Sequence, residues 1–247
     1  KVLGVIPARY GSTRFPGKPL VLIAGKPLLT WVIEAAKSAK LISQVLVATD
    51  DERIAELAAK SGVEAVMTDS ELPSGSDRVW AAIQGLDGEV VLNIQGDEPL
   101  LTGALLDQLV TPFKSDSTLE MATFGRPLSA EDLQSPNTAK IVLNAKDEAL
   151  YFSRLPIPFT RTPFNAEQEC ALKHIGIYAF RRSFLGKFCA QKPVPLEHFE
   201  GLEQLRALHL GARIRVVRVD HESWGVDTPE DVLKVEKRLP RGSHGQK

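Results

Sequence analysis

The sequence predicts an α/β fold in which a mostly parallel, twisted sheet is flanked by helices, with a small inserted lobe. Short β-branched runs alternate with helical patterns through the first half of the chain, which is typical of βαβ units. A length of 247 residues, 43% of them hydrophobic, suffices for one well-buried core. Polar segments follow the apolar runs, where the loops of such a sheet gather around ligands.

The first half of the chain predicts four strands separated by three helices. Apolar residues at positions 28, 29, 32, 33 and 36 have the spacing of a helix face. The second helix opens on acidic residues and stops at Gly62, as helix ends commonly do. In chain order, the predicted elements are a strand over 1–7, a helix over 28–40, a strand over 44–50, a helix over 51–62, a strand over 63–68, a helix over 74–86 and a strand over 88–100.

After about residue 120 the alternation gives way to strands with long polar connections. The predicted elements are strands within 120–128, 139–152 and 172–180, a polar loop over 160–170, helices over 183–191 and 201–211, a strand over 213–219 and a helix over 228–239. We expect a single α/β domain over residues 1–239, with a substrate or dimerisation lobe within about 120–200. The polar tail 240–247 is predicted to be disordered.

Composition excludes several classes of protein. With 30 Lys and Arg against 31 Asp and Glu, the formal net charge is -1, so no overall field favours nucleic acid or a membrane surface. The apolar run before Pro7 is too short for a signal peptide, and nowhere do about 18 uninterrupted apolar residues occur. Cys170 and Cys189 lack metal-finger spacing. These features predict a cytoplasmic protein with free thiols.

The segment VIPARYGSTRFPGKPL, residues 5–20, has the composition of a phosphate-binding loop. It is not a Walker A loop, because five residues separate its two glycines where that motif has four, and Lys18 is followed by Pro19, which has no hydroxyl for a magnesium ion. It also lacks GxGxxG. Arg9, Arg14 and Lys18 nevertheless place three cations within ten residues, which suits a polyphosphate. A solvated basic loop is the alternative.

The same loop resembles the signature loop of sugar nucleotidyltransferases, and in particular of the 3-deoxy-manno-octulosonate (Kdo) cytidylyltransferases. Further segments resemble that family in the same order: VATDDERI, SGSDR, NIQGDEPL, ALYFSRLPIP, KHIGIYAFRR, LEQLRALHLG and GVDTPEDV. The likeness covers nearly the whole chain. It implies a Rossmann-like nucleotidyltransferase fold of the nucleotide-diphospho-sugar transferase type. It also implies activation of Kdo with CTP to give CMP-Kdo and pyrophosphate, for lipopolysaccharide biosynthesis.

The resemblance implies Mg²⁺ as cofactor, with Asp97 and Asp227 as its ligands. Asp97 lies in the polar tip of a predicted strand and Asp227 precedes a predicted helix, so capping of a helix is the alternative for each. Mg²⁺ usually takes one or two carboxylates together with substrate phosphates. Arg9 and Lys18 complete the catalytic set that we expect, while Glu98 and Asp231 are expected to support the two ligands.

Residues of several loops are expected to bind the substrates by the same resemblance. For the nucleotide they are Ala8, Arg9, Arg14, Lys18, Ser74, Gly75, Arg78, Gln95 and Asp97. For the sugar acid they are Gln95, Arg154, His174, Tyr178, Glu203 and Gln204. Simpler structural roles remain open for two pairs. Asp77 and Arg78 could form a charge pair at a helix start, and His174 and Tyr178, four residues apart on one face of a strand, could be ordinary strand residues.

The same fold is compatible with different activities. A related sugar acid, such as 8-amino-Kdo or sialic acid, could replace Kdo, because few contacts set that preference. The fold would equally serve a pyrophosphorylase that uses UTP with a sugar 1-phosphate, or a sugar-nucleotide sensor without turnover. The resemblance implies a homodimer, for which the apolar residues of segments 183–191 and 201–211 could supply an interface or simply belong to the core.

Overall fold

The computed structural model describes residues 1–11, 15–161 and 171–239. Its first half alternates strands with helices, as predicted, and adds a short hairpin and a 3₁₀ helix, Lys18–Leu20, after the first strand. The elements are β1 (Val2–Ala8), β2 (Leu22–Ile23), β3 (Lys26–Pro27), α1 (Leu28–Ser38), β4 (Gln44–Thr49), α2 (Glu52–Lys60), β5 (Glu64–Met67), α3 (Gly75–Ala82) and β6 (Val90–Asn93).

The second half of the chain adds strands to the same sheet and covers it with short helices. Its elements are α4 (Gly103–Val110), α5 (Pro112–Ser115), β7 (Met121–Pro127), α6 (Ala130–Gln134), β8 (Lys140–Leu143), β9 (Ala149–Ser153), β10 (Ala171–Arg181), α7 (Arg182–Ala190), α8 (Pro195–Glu200), α9 (Leu205–His209), β11 (Ile214–Arg218) and α10 (Pro229–Glu236).

The strands of the main sheet follow the order β11-β7-β10-β6-β1-β4-β5, and the β8–β9 hairpin is attached to β10. β1 pairs in parallel with β4 and β6, β4 with β5, and β7 with β11. Among the nine strands that the described residues contribute, only β9 and β10 run against the others. The prediction of a mostly parallel sheet is therefore confirmed.

Hydrophobic side chains pack on both faces of this sheet, because neighbouring residues of a strand point to opposite sides. In β1, Val5 packs with Val79 and Phe180 on one face, whereas Ile6 packs with Leu29 and Leu106 on the other. All of these side chains are fully buried. The helices thus lie in two layers around a central β1, and the loops at the carboxyl ends of β1 and β6 are left uncovered at one edge.

β10 contains an irregularity in the middle of the sheet. Ile175 pairs with Phe124 of β7, but the next pair along β10 is Tyr178 with Thr123, so Gly176 and Ile177 are additional residues on the β10 side. Because two residues are inserted, the alternation of faces is kept, and His174 and Tyr178 lie on the same side of the strand. Their rings are 5.6 Å apart, which confirms the shared face that their spacing predicts.

Several predicted elements differ from the structure in extent. The helix predicted over 201–211 is present but shorter: α8 ends at Glu200 with Gly201 as its C-cap, at a positive φ of 62°, and α9 covers only Leu205–His209. The segment 139–152 forms two strands joined by a turn. The apolar residues predicted as a possible interface in α7 and α9, among them Phe184, Phe188 and Leu205, are buried in the core.

The remaining expectations can be compared with the structure only in part, because some of them fall outside the described residues. Within the described part of the chain, every helix is too short or too polar to cross a membrane. Cys189 is a free thiol, as predicted. Cys170, most of the loop 160–170 and the tail 240–247, predicted to be disordered, lie outside the described residues.

Candidate active site

Two adjoining cavities lie at the carboxyl edge of the sheet, where β1 and β6 end. The first, of about 280 Å³, is lined by Lys18, Pro19, Gly96, Asp97 and Asp227. The second, of about 160 Å³, is lined by residues 72–75 and Arg78. Pro7, Ala8, Arg9 and Gln95 line both. The edge predicted from the polar strand ends therefore does form a cleft, and its shared wall is made by the ends of β1 and β6.

Lys18 and the two predicted metal ligands meet in the first cavity. The Lys18 Nζ lies 2.7 Å from Oδ2 of Asp97 and 3.3 Å from Oδ1 of Asp227. The two carboxylates, distant in the sequence, thus contact the same positive charge. The side chains are 17%, 28% and 47% exposed for Lys18, Asp97 and Asp227, so all three are reachable from the cavity.

Backbone and side-chain hydrogen bonds join the segments that carry these two aspartates. The amide of Val226 donates to the carbonyl oxygen of Asp97 over 2.9 Å. The buried Glu98 accepts hydrogen bonds from the Ser223 hydroxyl and, at 3.2 Å, from the Trp224 amide. The pKa of Glu98 is raised to about 7, mainly by burial and also by the nearby charges of Asp97 and Asp227, although the two hydrogen bonds lower it. Glu98 therefore joins the turn after β6 to the segment that precedes Asp227, and its expected support of the two metal ligands stays a prediction.

Asp231 holds the other end of the Asp227 segment. Its Oδ2 accepts hydrogen bonds from the backbone amides of Asp227 and Thr228 and from the Thr228 hydroxyl. Thr228 is the N-cap residue of α10. The capping role considered for Asp227 thus belongs to Thr228 and Asp231, which leaves the Asp227 carboxylate directed toward Lys18.

A glycine allows the turn after β6 to pass close to β1. A side-chain carbon on Gly96 would lie 3.1 Å from the carbonyl oxygen of Pro7, closer than nearly all real contacts of this type. Gly17, at a φ of 71°, similarly turns the first loop, and its amide donates to the Tyr10 carbonyl over 2.9 Å. These two turns bring Lys18 and Asp97 to the same cavity. Arg9 is exposed beside them, whereas Arg14 lies outside the described residues.

The second cavity is built on the start of α3. Ser74 is the N-cap residue, and its hydroxyl donates to the Asp77 carboxylate over 2.7 Å. Arg78 does not pair with Asp77, so the charge pair considered for these neighbours is wrong. Its guanidinium contacts Asp50 and Thr68 instead, at 3.1 and 2.6 Å. Asp50 and Thr68 follow β4 and β5, in the polar strand ends whose role the sequence left unassigned.

Three of the predicted sugar-binding residues form a buried hydrogen-bonded chain beneath the cleft. The Tyr178 hydroxyl donates to Oε1 of Gln204, and the Gln204 amide nitrogen lies 3.4 Å from Nδ1 of His174. Nε2 of His174 lies 3.0 Å from the Thr123 hydroxyl, which is also within hydrogen-bond distance of the carbonyl oxygens of Ile175 and Ile177. Because the Gln204 amide nitrogen donates to Nδ1, His174 is neutral with its proton on Nε2, and the Thr123 hydroxyl accepts a hydrogen bond from that N–H and shares its own proton between the two carbonyls.

The cleft and this chain are connected through Gln95. Its amide nitrogen donates to the carbonyl oxygen of Gly176, in the β10 insertion between His174 and Tyr178, over 3.0 Å. Glu203 is separate: its Oε2 accepts from the Ser76 hydroxyl at 3.0 Å, and burial raises its pKa. It lines a third cavity on the far side of Ser74, together with Cys189 and other residues.

Arg154 is not brought to the two cavities. Its guanidinium hydrogen-bonds to backbone carbonyls, with the Glu200 carbonyl at 2.8 Å from Nε and those of Pro136 and Gly201 at 3.3 Å from the terminal nitrogens. Its own carbonyl accepts from the buried Lys140. In this conformation Arg154 joins α8 to the β8–β9 hairpin, and its predicted contact with a sugar acid stays a prediction.

The neutral His174 gives an expected dependence of stability on pH. Burial lowers the pKa of His174 from 6.5 to about 3. As pH falls below 6.5, the unfolded chain binds a proton at this position and the folded chain does not, so stability is lost progressively down to about pH 3 and is fully present above 6.5. We expect His174→Gln to be less stable than the parent at pH 7.5, and the difference to shrink by about 1 kcal/mol per pH unit on acidification below 6.5. Urea unfolding at several pH values measures this, and parallel curves for the two proteins would contradict it.

The donor set fits a magnesium ion. Asp97 and Asp227 offer the hard carboxylate oxygens that Mg²⁺ prefers, and they already face a common positive charge. In residues 1–11, 15–161 and 171–239, no group of three or more His, Cys, Asp or Glu side chains could hold a metal. Two protein carboxylates completed by substrate oxygens are a usual arrangement for Mg²⁺, so the residues agree with the predicted site.

A cleft with a lysine and two carboxylates at the carboxyl edge of this sheet agrees with the nucleotidyltransferase class that the motifs resemble. Comparison with known proteins supports that class and narrows it. The sequence profile of the family described as Cytidylyltransferase matches residues 3–214. The 3-deoxy-manno-octulosonate cytidylyltransferase of Bdellovibrio bacteriovorus is 56% identical over 97% of this chain and 98% of its own length. The protein of the same name from Geobacter metallireducens is 44% identical over 98% of each chain.

Solved structures agree with this similarity. CMP:2-keto-3-deoxy-manno-octonic acid synthetase, solved in complex with CTP, superposes with a TM-score of 0.91 at 40% identity, over 97% of this chain and 98% of that one. The chain belongs to the 3-deoxy-manno-octulosonate cytidylyltransferase family, within the cytidylyltransferases. The resemblance stated from the motifs is thereby confirmed, together with the nucleotidyltransferase fold.

Proposed function

We propose that the protein joins CMP to 3-deoxy-D-manno-octulosonate, using CTP and releasing pyrophosphate. The observation that carries this proposal is the meeting of Lys18, Asp97 and Asp227 in one cavity at the end of β1. Bacterial relatives that carry the name of this activity match the chain along almost its whole length. The product would serve lipopolysaccharide biosynthesis, and the reaction would take place in the cytoplasm, since sparse cysteines are typical of a reducing compartment.

The two cavities suggest how the substrates are arranged. The second cavity, with Ser74, Gly75 and Arg78, would hold the cytidine. The first would hold the triphosphate, where the cationic Arg9 and Lys18 offset its negative charge. Gln95 lines both cavities and is tied to the β10 insertion. It would therefore keep the sugar acid beside the α-phosphate, with His174, Tyr178 and Gln204 setting the shape of the wall behind it.

The chemistry requires positioning and charge neutralisation more than a covalent step. The anomeric hydroxyl attacks the α-phosphorus, the bond to the β-phosphate oxygen breaks, and pyrophosphate leaves. Asp97 and Asp227 would hold Mg²⁺, which when bound supplies charge neutralisation and lowers the pKa of the attacking hydroxyl. Lys18, which contacts both carboxylates in this cavity, would also contact the phosphates. Arg9 is exposed where it lines the first cavity, and its side chain would stay in contact with the pyrophosphate as it leaves.

Pyrophosphate release across a small matrix of substrates tests this proposal. CTP and UTP are each combined with Kdo, 8-amino-Kdo, sialic acid or a sugar 1-phosphate, with and without magnesium. We expect release with CTP and Kdo in the presence of magnesium. Faster release with another acid would correct the sugar, a preference for UTP with a sugar 1-phosphate would indicate a pyrophosphorylase, and tight nucleotide binding without any release would indicate a sensor.

We also propose a homodimer, built on a different surface from the one expected. Large apolar side chains are exposed on β9, on the segment after it and on α8; they are Leu150, Leu155, Phe159, Leu196 and Phe199, here called the lobe surface. Phe159 and Phe199 are 87% and 89% exposed. β9 and α8 are joined by hydrogen bonds from Ser153 and Arg154 to Glu200. Concentrated apolar exposure of this kind is typical of an interface.

Light scattering of purified protein tests the dimer. We expect twice the chain mass for the parent and a shift toward one chain mass in Phe159→Ser/Phe199→Ser, because the change removes the largest exposed apolar groups of the lobe surface. Leu233→Ser is the matched control, since Leu233 is 62% exposed on α10, outside that surface. A monomeric parent, or an unchanged mass in the double variant, would refute the proposal.

A further inference from the structure

Arg78 combines deep burial with unused hydrogen-bonding capacity. It is 3% exposed, yet it lines the second cavity with Pro7, Ala8 and Gly75. A guanidinium carries five N–H donors. Nη1 donates to the Thr68 hydroxyl and Nη2 to Asp50 Oδ2, and among the described residues no further acceptor faces it. Because Arg78 lines the second cavity, a ligand bound there can accept hydrogen bonds from the remaining donors.

The two partners of Arg78 are themselves fixed to the sheet. Thr68 and Asp50 follow directly after β5 and β4, which pair in parallel up to Thr49 and Met67. The Thr68 hydroxyl donates to the Thr49 carbonyl over 3.1 Å, and the Thr68 amide donates to the same oxygen over 2.8 Å. Because its proton is committed to Thr49, the hydroxyl can only accept from Arg78. The guanidinium is thus held at two points and cannot rotate to suit another ligand.

A fixed pair of donors distinguishes the two common pyrimidines. The O2 and N3 atoms of cytosine are adjacent hydrogen-bond acceptors, whereas N3 of uracil carries a hydrogen and would face the guanidinium donor to donor. A site whose buried polar groups are satisfied by one ligand rejects the analogue that leaves them unpaired. A guanidinium that is free to rotate could find other acceptors on uracil and so reduce the cost of the unpaired donors. A guanidinium that is held by Asp50 and Thr68 cannot.

We infer that Asp50 and Thr68 are positioning residues that give the site its preference for cytosine over uracil by fixing the orientation of Arg78. This rests on the proposed use of CTP and adds to it the origin of the base preference. The carboxylate of Asp50 also balances the charge of the buried Arg78, and the two side chains are 15% and 4% exposed. A purely structural ion pair would affect all nucleotides alike, so the preference between bases is the decisive quantity.

The test compares CTP and UTP in four variants: Asp50→Ala, Thr68→Val, Thr68→Ser and Asp51→Ala. Asp51 is the matched control, because this neighbouring aspartate caps α2 and pairs with Arg53 without contacting Arg78. For each protein, kcat and KM are measured by pyrophosphate release with Kdo and magnesium. Dissociation constants for CTP and UTP are measured by calorimetry without the sugar acid.

We expect Asp50→Ala and Thr68→Val to raise the KM for CTP and to reduce the preference for CTP over UTP by about tenfold, the scale of one hydrogen bond to a charged group. The kcat for CTP should change far less. Thr68→Ser keeps the hydroxyl and should keep the preference, as should Asp51→Ala. If Asp50→Ala does not fold, the comparison of Thr68→Val with Thr68→Ser tests the inference by itself.

Equal losses for CTP and UTP in Asp50→Ala or Thr68→Val would overturn the inference, as would a lost preference in Asp51→Ala. The outcome is separable from that of the proposed function. A parent protein that binds CTP in preference to UTP but releases no pyrophosphate would refute the proposed reaction, and the calorimetric comparison of the variants would still decide the role of Asp50 and Thr68.

Discussion

Replacing Asp97 by alanine is expected to reduce turnover by about a thousandfold or more while the fold is retained. The change removes one of the two carboxylates that face the cavity, and with it half of the protein's contribution to the proposed metal site. The backbone contact that joins this segment to Val226 uses the carbonyl oxygen of residue 97, which alanine also has. The side chain is partly exposed, so its loss leaves no buried cavity behind.

Pyrophosphate release and thermal unfolding are measured on the same preparations of Asp97→Ala and its parent. Asp87→Ala, in an exposed loop before β6, is the matched control and should retain full activity. We expect an unfolding temperature close to that of the parent for both variants. Retention of most of the CTP-dependent release by Asp97→Ala would show that the carboxylate assignment is wrong.

Replacing Lys18 by methionine is expected to have the second largest effect, a loss of about a hundredfold in turnover. Methionine has a similar length but no charge, so the two carboxylates would face each other without the ammonium that lies between them. The triphosphate would also lose a cation. Lys60→Met, on an exposed turn of α2, controls for loss of one lysine at the surface.

A double-mutant cycle distinguishes a shared role from two separate ones. Because Lys18 and Asp97 are in contact, their effects should not be additive. We expect Lys18→Met/Asp97→Ala to be no slower than about the slower single variant. A loss in the double variant equal to the product of the two single losses would mean that the contact does not contribute to turnover.

Most of the first half of the fold can be predicted because its signals are local. β1, β4 and β5 are short β-branched runs, and α1 and α2 show the spacing and the end residues of helices. The predicted bounds of each lie within a few residues of the observed ones. Pairing in parallel then follows from the alternation of strands and helices, since a crossover helix returns the chain to the same edge.

The second half is harder to predict because its elements are short or depend on distant partners. α4 is a run of eight mostly apolar residues, whose length and composition do not separate a helix from a strand. α8 and α9 are divided by Gly201, and the sequence alone does not state that this glycine adopts a positive φ. The two additional residues in β10 are visible only in the register against β7.

The candidate site shows the same division between local and distant information. The motifs identify Lys18, Asp97 and Asp227 individually, but their mutual contact depends on the turn at Gly96 and on the bond from Val226. Sequence motifs do not reveal the partners of Arg78, because Asp50 and Thr68 lie on other strand ends. Arg154 is expected to face the sugar, and the structure shows its guanidinium on backbone carbonyls instead.

The position of Asp227 in the chain has a consequence for protein synthesis. During translation, β1, β6 and Asp97 are synthesised long before Val226, whose amide donates a hydrogen bond to the Asp97 carbonyl oxygen in the folded protein. A nascent chain can therefore assemble much of the sheet before Asp227, one of the two carboxylates of the candidate site, has been synthesised. Products of premature termination upstream of residue 227 would lack the Asp227 carboxylate, so we expect turnover to require completion of the polypeptide as well as its folding.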